Sequence, residues 1–206
     1  MSGVLDSTAT ASVNKTAQLF AGPFAILVST LLSLRTRDEV TFSRSIALLS
    51  QAPNPQSMVS LPLEVLEDLM YPVAFFRVKA RNLQKICQII LNESGGKVPS
   101  TWETLLALPG VGRKTAALVL GLGFGKPAIC VDIHVHRISN RLGLVATNSP
   151  DETERALENQ VPRGLWIELN EIMVRFGQQI CTPQSPRCSL CPLSSACLKV
   201  GVVRTR

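Results

Sequence analysis

The sequence predicts an all-α fold, because apolar residues recur at helical spacing along most of the chain while strand signals are poor. From residue 73 to 92, for example, one apolar stripe includes Leu83, Ile86 and Ile90. No two alternating apolar runs are joined by a hairpin signal, and aromatic residues make up only 5% of the chain, which disfavours strands. No internal repeat or long linker interrupts the helical pattern.

The helices can be placed in order from their start and stop signals. Residues 1–16 are rich in Ser, Thr and Ala, show no hydrophobic period and are expected to be frayed. Pro23 is expected to open a buried helix, and Gly95 to end the longest one. Thr36 and Ser100 each stand three residues before a Glu, which is the capping-box pattern of a helix start. Helices are expected at 23–34, 36–50, 63–70, 73–92, 100–108, 113–120, 132–142, 150–159 and 163–178.

Charge and hydropathy indicate which partners to expect. The formal net charge is +6 and the pI is about 9.2, which favours a polyanionic partner such as nucleic acid. Residues 16–34 carry no charge, but polar side chains interrupt them and their continuous apolar run covers only 24–28, too short to span a membrane. No signal peptide is recognisable, since Asp6 precedes the first basic residue, Lys15. We therefore expect a cytoplasmic protein, nucleoid-associated if prokaryotic, with no membrane partner.

Four of the six cysteines cluster near the C-terminus with the spacing C-x6-C-x2-C-x5-C. They are Cys181, Cys188, Cys191 and Cys197. Thiolate sulfur suits iron–sulfur clusters and zinc, but structural zinc sites usually pair two C-x2-C-like knuckles and only one is present. The spacing therefore favours an iron–sulfur cluster, with zinc and disulfides as alternatives. The other two, Cys87 and Cys130, are expected to be free thiols in the core.

The segment LPGVGRKTA at 108–116 lies between two predicted helices. Gly110 and Gly112 allow a tight connection, and the start of the following helix offers N–H groups and a positive dipole end that suit a phosphate. Lys114 stands on the first turn of this almost wholly apolar helix. A lysine held away from water is a nucleophile that can form a Schiff base. From these residues alone, a plain helical corner with a lysine on a DNA phosphate is the alternative.

A second polar segment, VDIHVHR, follows at 131–137. Asp132 is well placed as the N-cap of the next helix. Its carboxylate could also face Lys114 across a cleft and stabilise positive charge that develops on a sugar. The two histidines, His134 and His136, do not share a helix face, so a histidine-based metal site is not expected.

These motifs together resemble the endonuclease III family of helix-hairpin-helix DNA glycosylases. The glycine segment, VDIHVHRISNRLG at 131–143 and the cysteine loop at 181–197 match its pattern in order and separation. The resemblance implies two lobes, with DNA bound in the groove between them and the damaged nucleotide flipped out. One lobe would be a six-helix barrel, about 17–126, with the helix-hairpin-helix at about 101–122; the other, 1–16 plus 127–206, would hold the cluster.

The resemblance also implies an activity and its residues. The chain would be a bifunctional DNA glycosylase and abasic-site lyase of base excision repair, acting as a monomer on double-stranded DNA with damaged bases or abasic sites. It would remove damaged pyrimidines, oxidised ones by family expectation. Lys114 would be the nucleophile, Asp132 the catalytic aspartate, and the four clustered cysteines the ligands of a [4Fe–4S] cluster. The expected DNA contacts are Gly110, Val111, Gly112, Arg113, Thr115, Arg35, Phe75 and Arg187.

Two positions depart from the family pattern, and two other functions stay open. Arg35 replaces a Gln thought to fill the gap left by the flipped base, and the Gly-Leu-Tyr-like wedge reads Ala74-Phe75-Phe76. The lesion range and opposite-base preference are therefore undetermined. A monofunctional mismatch or adenine glycosylase is one alternative, although no acidic residue lies between Asp6 and Asp38, where an adenine glycosylase needs its catalytic Glu. A non-catalytic DNA-binding module with a structural zinc is the other.

Overall fold

The computed structural model describes residues 12–206, which form α-helices and connecting turns without a β-strand. The all-α prediction is confirmed. This part of the chain divides into two compact units, Ser12–Lys126 and Pro127–Arg206. None of the helices in it is long and apolar enough to cross a membrane. The expectations for residues 1–11 lie outside the described residues.

The first unit is built around a helix that has no polar face. Helix α2 begins with Pro23, as predicted, and every residue from Phe24 to Leu32 is buried. Burial of each large apolar side chain stabilises the fold by roughly 1.5–3 kcal/mol, so this helix fixes the packing of its neighbours. The helices of the unit are α1 (Ser12–Leu19), α2 (Pro23–Ser33), α3 (Asp38–Gln51), α4 (Pro55–Ser60), α5 (Leu63–Met70), α6 (Phe76–Ser94), α7 (Trp102–Leu106) and α8 (Arg113–Leu118).

Helix α1 corrects the expectation that residues 12–16 are frayed. Val13 and Thr16 are buried, and α1 packs against α2 and α3. The Ser12 hydroxyl donates to Oδ1 of Asp38 at 3.0 Å, while the Thr16 hydroxyl donates to the Ser12 carbonyl at 2.9 Å. Short helices are stable mainly through tertiary contacts, which a polar sequence without a long apolar period does not reveal.

Both predicted capping boxes are wrong. Helix α3 follows Arg37, which makes no side-chain cap, and Thr36 instead accepts a hydrogen bond from the Ala74 amide at 3.2 Å. Helix α7 is capped one residue later than predicted, by Thr101. Ser100 accepts a hydrogen bond from Lys126 Nζ at 3.1 Å. In each case the hydroxyl has a partner far along the chain that the local pattern cannot show.

Helix α4 was not predicted, and α8 continues in an unexpected way. Asn54 and the third helical residue, Ser57, form a reciprocal capping box at the start of α4. After Leu118 the chain widens into a π-helical turn, Val119–Gly123. Such turns are rare and often lie beside functional residues. Gly123 comes so close to Pro23 that an added Cβ would lie 2.9 Å from the proline Cβ.

The second unit is smaller and packs three helices over one core. They are α9 (Ile133–Leu142), α10 (Pro150–Glu158) and α11 (Trp166–Gln179). The core includes Ile129, Val135 and Leu157, all of which have 0% exposure, and α9 lies against both other helices. The cysteine segment follows α11 as a loop with one short 3-10 turn at Cys188–Leu190. The prediction that this segment is not an α-helix is confirmed.

Substitution of Gly123 by alanine should destabilise the first unit. The new methyl group would press on both the Pro23 Cβ and the Pro23 Cα, and backbone cannot move as a side chain can. We expect the free energy of unfolding to fall by about 1–3 kcal/mol, measured by urea denaturation. Gly164→Ala is the matched control, because no atom lies within 4 Å of its added Cβ, and it should change stability by less than about 0.5 kcal/mol. Equal stability of both variants would contradict the close contact at Pro23.

Candidate active site and cysteine loop

The connection between α7 and α8 is a tight hairpin whose shape depends on one glycine. Gly110 has φ +79°, a left-handed conformation that other residues adopt only with strain. An added Cβ there would also lie 2.9 Å from Nδ2 of Asn82 on α6. The amide of Val111 donates to the Leu108 carbonyl at 3.1 Å, which closes the turn. The hairpin therefore presents Gly110 and Gly112 at the surface.

The first turn of α8 places its side chains in three different environments. No side chain caps the N-terminus of α8, whose N-cap is Gly112. The Arg113 guanidinium is exposed and lies 5.0 Å from the centroid of the Trp102 ring, a cation–π contact that joins α7 to α8. Lys114 is half-buried, whereas Thr115 is buried. Val111 is buried as well, so the residues of the hairpin that lie at the surface are Gly110, Gly112 and Arg113.

Asp132 is the N-cap of α9, and this prediction is confirmed. Its Oδ1 accepts hydrogen bonds from the amides of His134 at 2.9 Å and Val135 at 3.0 Å. The side chain is half-buried at the start of the helix. Lys114 belongs to the first unit and Asp132 to the second. The cap fixes the orientation of the carboxylate relative to α9.

Arg35 and Phe75, the two positions that depart from the family pattern, come together on the surface of the first unit. We call them the Arg35–Phe75 pair. The Arg35 guanidinium carbon lies 5.8 Å from the centroid of the Phe75 ring, and both residues are exposed. Both residues also have a left-handed backbone conformation, with φ +56° for Arg35 and +57° for Phe75. That conformation costs roughly 1–2 kcal/mol for a residue other than glycine and persists only where the surroundings impose it.

Lys79 is the residue that sequence reasoning missed. Its ammonium donates to the carbonyls of Leu32 at 2.9 Å and Leu34 at 2.7 Å, and to Oγ1 of Thr36 at 3.4 Å. Burial lowers the pKa of Lys79 to about 8, since an ammonium removed from water loses hydration. In the sequence Lys79 is one of several basic residues on the polar side of α6. Its partners lie 43 to 47 residues away, so no local signal marks it.

The four clustered cysteines line one hollow of the second unit. The hollow holds about 380 Å³ of space free of protein atoms, open in part to solvent. Ile138, Leu142, Phe176 and Ile180 supply apolar walls, and Arg187 lies at the same hollow with an exposed side chain. All six cysteines are free thiols, which removes the disulfide alternative.

The surroundings of the sulfur atoms of Cys181 and Cys197 suit thiolates, because they supply hydrogen-bond donors. Nη1 of Arg141 donates to Sγ of Cys181 at 3.4 Å, and the Lys199 amide donates to Sγ of Cys197 at 3.3 Å. Burial raises the pKa of the Cys191 thiol, and negative charge on the three other cysteines would raise it further. Four thiolates this close together repel one another unless metal ions neutralise them.

The residues of the hollow supply the kind of ligand that an iron–sulfur cluster takes. Within residues 12–206, no three His, Cys, Asp or Glu side chains converge tightly enough to bind one metal ion. A [4Fe–4S] cluster takes one thiolate on each of its four irons, and four cysteines line the hollow together with apolar side chains. The donor set therefore fits such a cluster.

Cys87 and Cys130 are buried free thiols, as predicted. Burial raises the pKa of the Cys87 thiol to about 12, because the thiolate would lose its hydration. Such a cysteine stays protonated and unreactive.

Comparisons with known proteins agree with this arrangement. Residues 28–163 match the family model described as HhH-GPD superfamily base excision DNA repair protein. The chain belongs to this superfamily. It is 49% identical over 175 residues to endonuclease III of Thermotoga maritima, a match that covers 85% of this chain and 82% of that relative. Endonuclease III of Bacillus subtilis is 38% identical over 178 residues, covering 86% of this chain and 81% of its own.

A solved structure of endonuclease III is similar in fold to this superfamily member. It is a trapped covalent intermediate of endonuclease III with DNA, in an estranged-adenine complex. Its TM-score to this chain is 0.82 at 35% identity, covering 91% of this chain and 93% of the other. The resemblance to endonuclease III seen in the sequence is confirmed.

Two substitutions of Asp132 should separate its structural contribution from its charge. Asp132→Ala removes both hydrogen bonds at the start of α9 and should lower the free energy of unfolding by about 1 kcal/mol. Asp132→Asn keeps a side-chain oxygen that can cap the helix and should cost no more than about 0.5 kcal/mol. Urea denaturation followed by circular dichroism measures both. A loss as large in the asparagine variant as in the alanine variant would show that the carboxylate charge, and not the cap, stabilises α9.

Proposed function

We propose that this protein excises damaged pyrimidine bases from double-stranded DNA through an imine formed at Lys114 and then cleaves the strand. It is a base excision repair enzyme with DNA glycosylase and abasic-site lyase activity, in keeping with its superfamily and with its identity to endonuclease III. The observation that carries the residue assignment is the position of Lys114, half-buried on the first turn of α8, directly after the glycine hairpin. Oxidised pyrimidines are the proposed substrates.

The reaction uses Lys114 twice. The neutral amine attacks C1′ of the damaged nucleotide, the N-glycosidic bond breaks, and the base leaves with the bonding electron pair and gains a proton. The amine, now bonded to C1′, loses a proton; the C1′–O4′ bond then breaks with its electron pair on O4′, which takes up a proton as the ring opens, and the protonated imine forms. Loss of a proton from C2′ then drives β-elimination of the 3′ phosphate and nicks the strand. Hydrolysis of the imine returns Lys114.

Asp132 assists by its charge and by proton transfer. Two backbone amides hold one of its oxygens. A carboxylate fixed in this way is suited to accept a proton from the lysine ammonium and to stabilise positive charge on the sugar in the oxocarbenium-like transition state. In this proposal Lys114 is the nucleophile and Asp132 is the carboxylate that assists it.

DNA binding is supported by the charge of the chain and by the hairpin. Endonuclease III, 35% identical to this chain, has been solved in complexes with DNA. The backbone of the exposed glycines of the hairpin is proposed to hold a phosphate near the lesion, with Arg113 beside it. The Arg35–Phe75 pair is proposed to enter the duplex where the damaged nucleotide leaves it, as side chains that kink DNA do. Arg187 is a further proposed phosphate contact, and a monomer is the proposed active form.

The cysteine hollow is proposed to hold a [4Fe–4S] cluster with Cys181, Cys188, Cys191 and Cys197 as ligands. The second unit, with the cysteine loop, would then correspond to the cluster lobe, and the first unit to the helical barrel lobe. When bound, the cluster supplies structural cross-linking of the loop and no step of base excision. Residues of the protein also hold the loop in place. Arg141 donates hydrogen bonds to Sγ of Cys181 and to the carbonyl of Thr182, which connects the loop to α9.

Borohydride trapping on a duplex with one abasic site tests the imine. We expect the wild type to form a covalent adduct, because the imine is reduced to a stable amine. Lys114→Ala should form none. Lys97→Ala is the matched control, since Lys97 is an exposed lysine of the same unit, and it should trap like the wild type. Gel electrophoresis of labelled DNA measures the adduct.

The remaining outcomes separate the alternatives. An undiminished adduct in Lys114→Ala would assign the nucleophile to another residue. No adduct from a wild type that binds DNA would favour a monofunctional glycosylase or a non-catalytic module. Asp132→Asn, which retains both the cap and Lys114, should trap at least about 100-fold more slowly if the carboxylate acts in proton transfer.

Iron content tests the cofactor. The purified wild type should be brown, absorb light at about 400 nm and contain about four iron atoms per chain. Cys188→Ala should lose most of this iron, because one iron would lose its ligand. Cys87→Ala is the control and should retain it, since Cys87 is buried in the other unit. A colourless wild type with one zinc per chain would contradict the cluster.

A further inference from the structure

We infer that Lys79 is a positioning residue, whose ammonium holds the Arg35–Phe75 pair in the conformation that engages a damaged site in DNA. This inference rests on the proposed function and adds a residue to it. Lys79 itself is half-buried, so it acts through the pair and does not need to touch DNA.

Lys79 forms hydrogen bonds with both residues that flank Arg35. Its ammonium binds the carbonyl of Leu34 at 2.7 Å and the hydroxyl of Thr36 at 3.4 Å. A third bond to Leu32, at 2.9 Å, anchors the same ammonium to the last turn of the buried helix α2. The backbone on either side of Arg35 is therefore fixed to α6.

The same network reaches Phe75 through Thr36. The Thr36 hydroxyl oxygen accepts a hydrogen bond from the amide of Ala74, the residue just before Phe75, at 3.2 Å. Two turns that lie 38 residues apart in the chain are joined at this oxygen. Each turn carries one exposed residue with positive φ. Such a strained backbone conformation persists only where the surrounding structure imposes it. Lys79 and Thr36 supply that constraint to both.

The described partners of the Lys79 ammonium are neutral, namely two carbonyls and one hydroxyl. Burial alone accounts for the lowered pKa of about 8. On α6, Arg77 forms an ion pair with Glu67 of α5 at 3.5 Å. The charged groups on the elements around Lys79 are Arg35 and Arg37 on the turn after α2, Asp38, Glu39 and Arg44 on α3, Glu64, Glu67 and Asp68 on α5, and Arg77, Arg81, Lys85 and Glu93 on α6.

Deprotonation should loosen the pair without weakening the fold. The ammonium has a donor for each of its three acceptors, whereas the neutral amine has only two and no charge to strengthen them. Because the pKa of Lys79 in the folded state is about 8, below its ordinary value of 10.5, the unfolded chain binds more protons between those two pH values. The contribution of Lys79 to the free energy of unfolding therefore rises with pH in that window. Site recognition should fall as the pH rises through about 8, where the folded protein loses the Lys79 proton.

The test compares the affinity for two duplexes, one with a stable abasic-site analogue and one undamaged. Their ratio cancels general phosphate binding and reports recognition of the site. At pH 7 we expect Lys79→Met to reduce the ratio about tenfold and Lys79→Arg, which keeps charge and donors, to restore most of it. Lys85→Met, an exposed lysine on the same helix, should leave the ratio unchanged. In the wild type the ratio should fall between pH 7 and 9.5, and in Lys79→Met it should stay flat.

Several outcomes would overturn the inference. An unchanged ratio in a folded Lys79→Met, with borohydride trapping intact in the wild type, would refute the positioning role and leave the proposed function standing. Failure of the wild type to trap would instead remove the proposed function. If Lys79→Met does not fold, the wild-type pH series decides, since a ratio that is constant or rises up to pH 9.5 refutes the role. Equal loss in Lys85→Met would assign the effect to general charge.

Discussion

The burial of α2 is the constraint on which the first unit depends. Because this helix is buried from Phe24 to Leu32, neighbouring elements cover it on every side, and several of them carry candidate functional residues. Its first residue meets Gly123 of the π-helical turn, and its length packs against α8, which carries Lys114. Its last turn supplies the Leu32 carbonyl that Lys79 binds, just before Arg35. The proposed nucleophile, Lys114, and the Arg35–Phe75 pair thus both lie on elements that pack against α2 or directly follow it.

Helix α9 has the corresponding role in the second unit. Asp132 caps its N-terminus, and Arg141 in its last turn donates to the cysteine loop. The carbonyl of Arg141 also accepts a weak hydrogen bond from the thiol of Cys197 at 3.3 Å. The proposed catalytic carboxylate and the cysteine hollow are therefore held at opposite ends of one helix. A loop without regular structure can keep four ligands in place only if such a rigid element anchors it.

The features that the sequence predicts well are those with a local cause. Asp132 was identifiable as a cap because the apolar period of α9 begins just after it. The spacing of the cysteines favoured an iron–sulfur cluster and kept zinc and disulfides as alternatives. Thr36 shows the opposite case, since its hydroxyl fits a local capping box but binds residues on α6 and in the turn before it. The hydrogen bonds of Lys79 and the left-handed conformations of Arg35 and Phe75 likewise depend on residues distant in sequence. The buried α1 was missed for the same reason.

The two buried thiols and the four thiols of the loop differ in exposure, and this difference decides where the proposed iron–sulfur cluster can form. Iron binds thiolates, so a cysteine that stays protonated and enclosed cannot compete for it. Cys87, with its pKa near 12, and Cys130, with 3% exposure, are both withdrawn from solvent. Only the loop cysteines offer sulfur to an incoming donor. The fold thereby confines the proposed iron ligation to the loop and keeps it away from the thiols of the core.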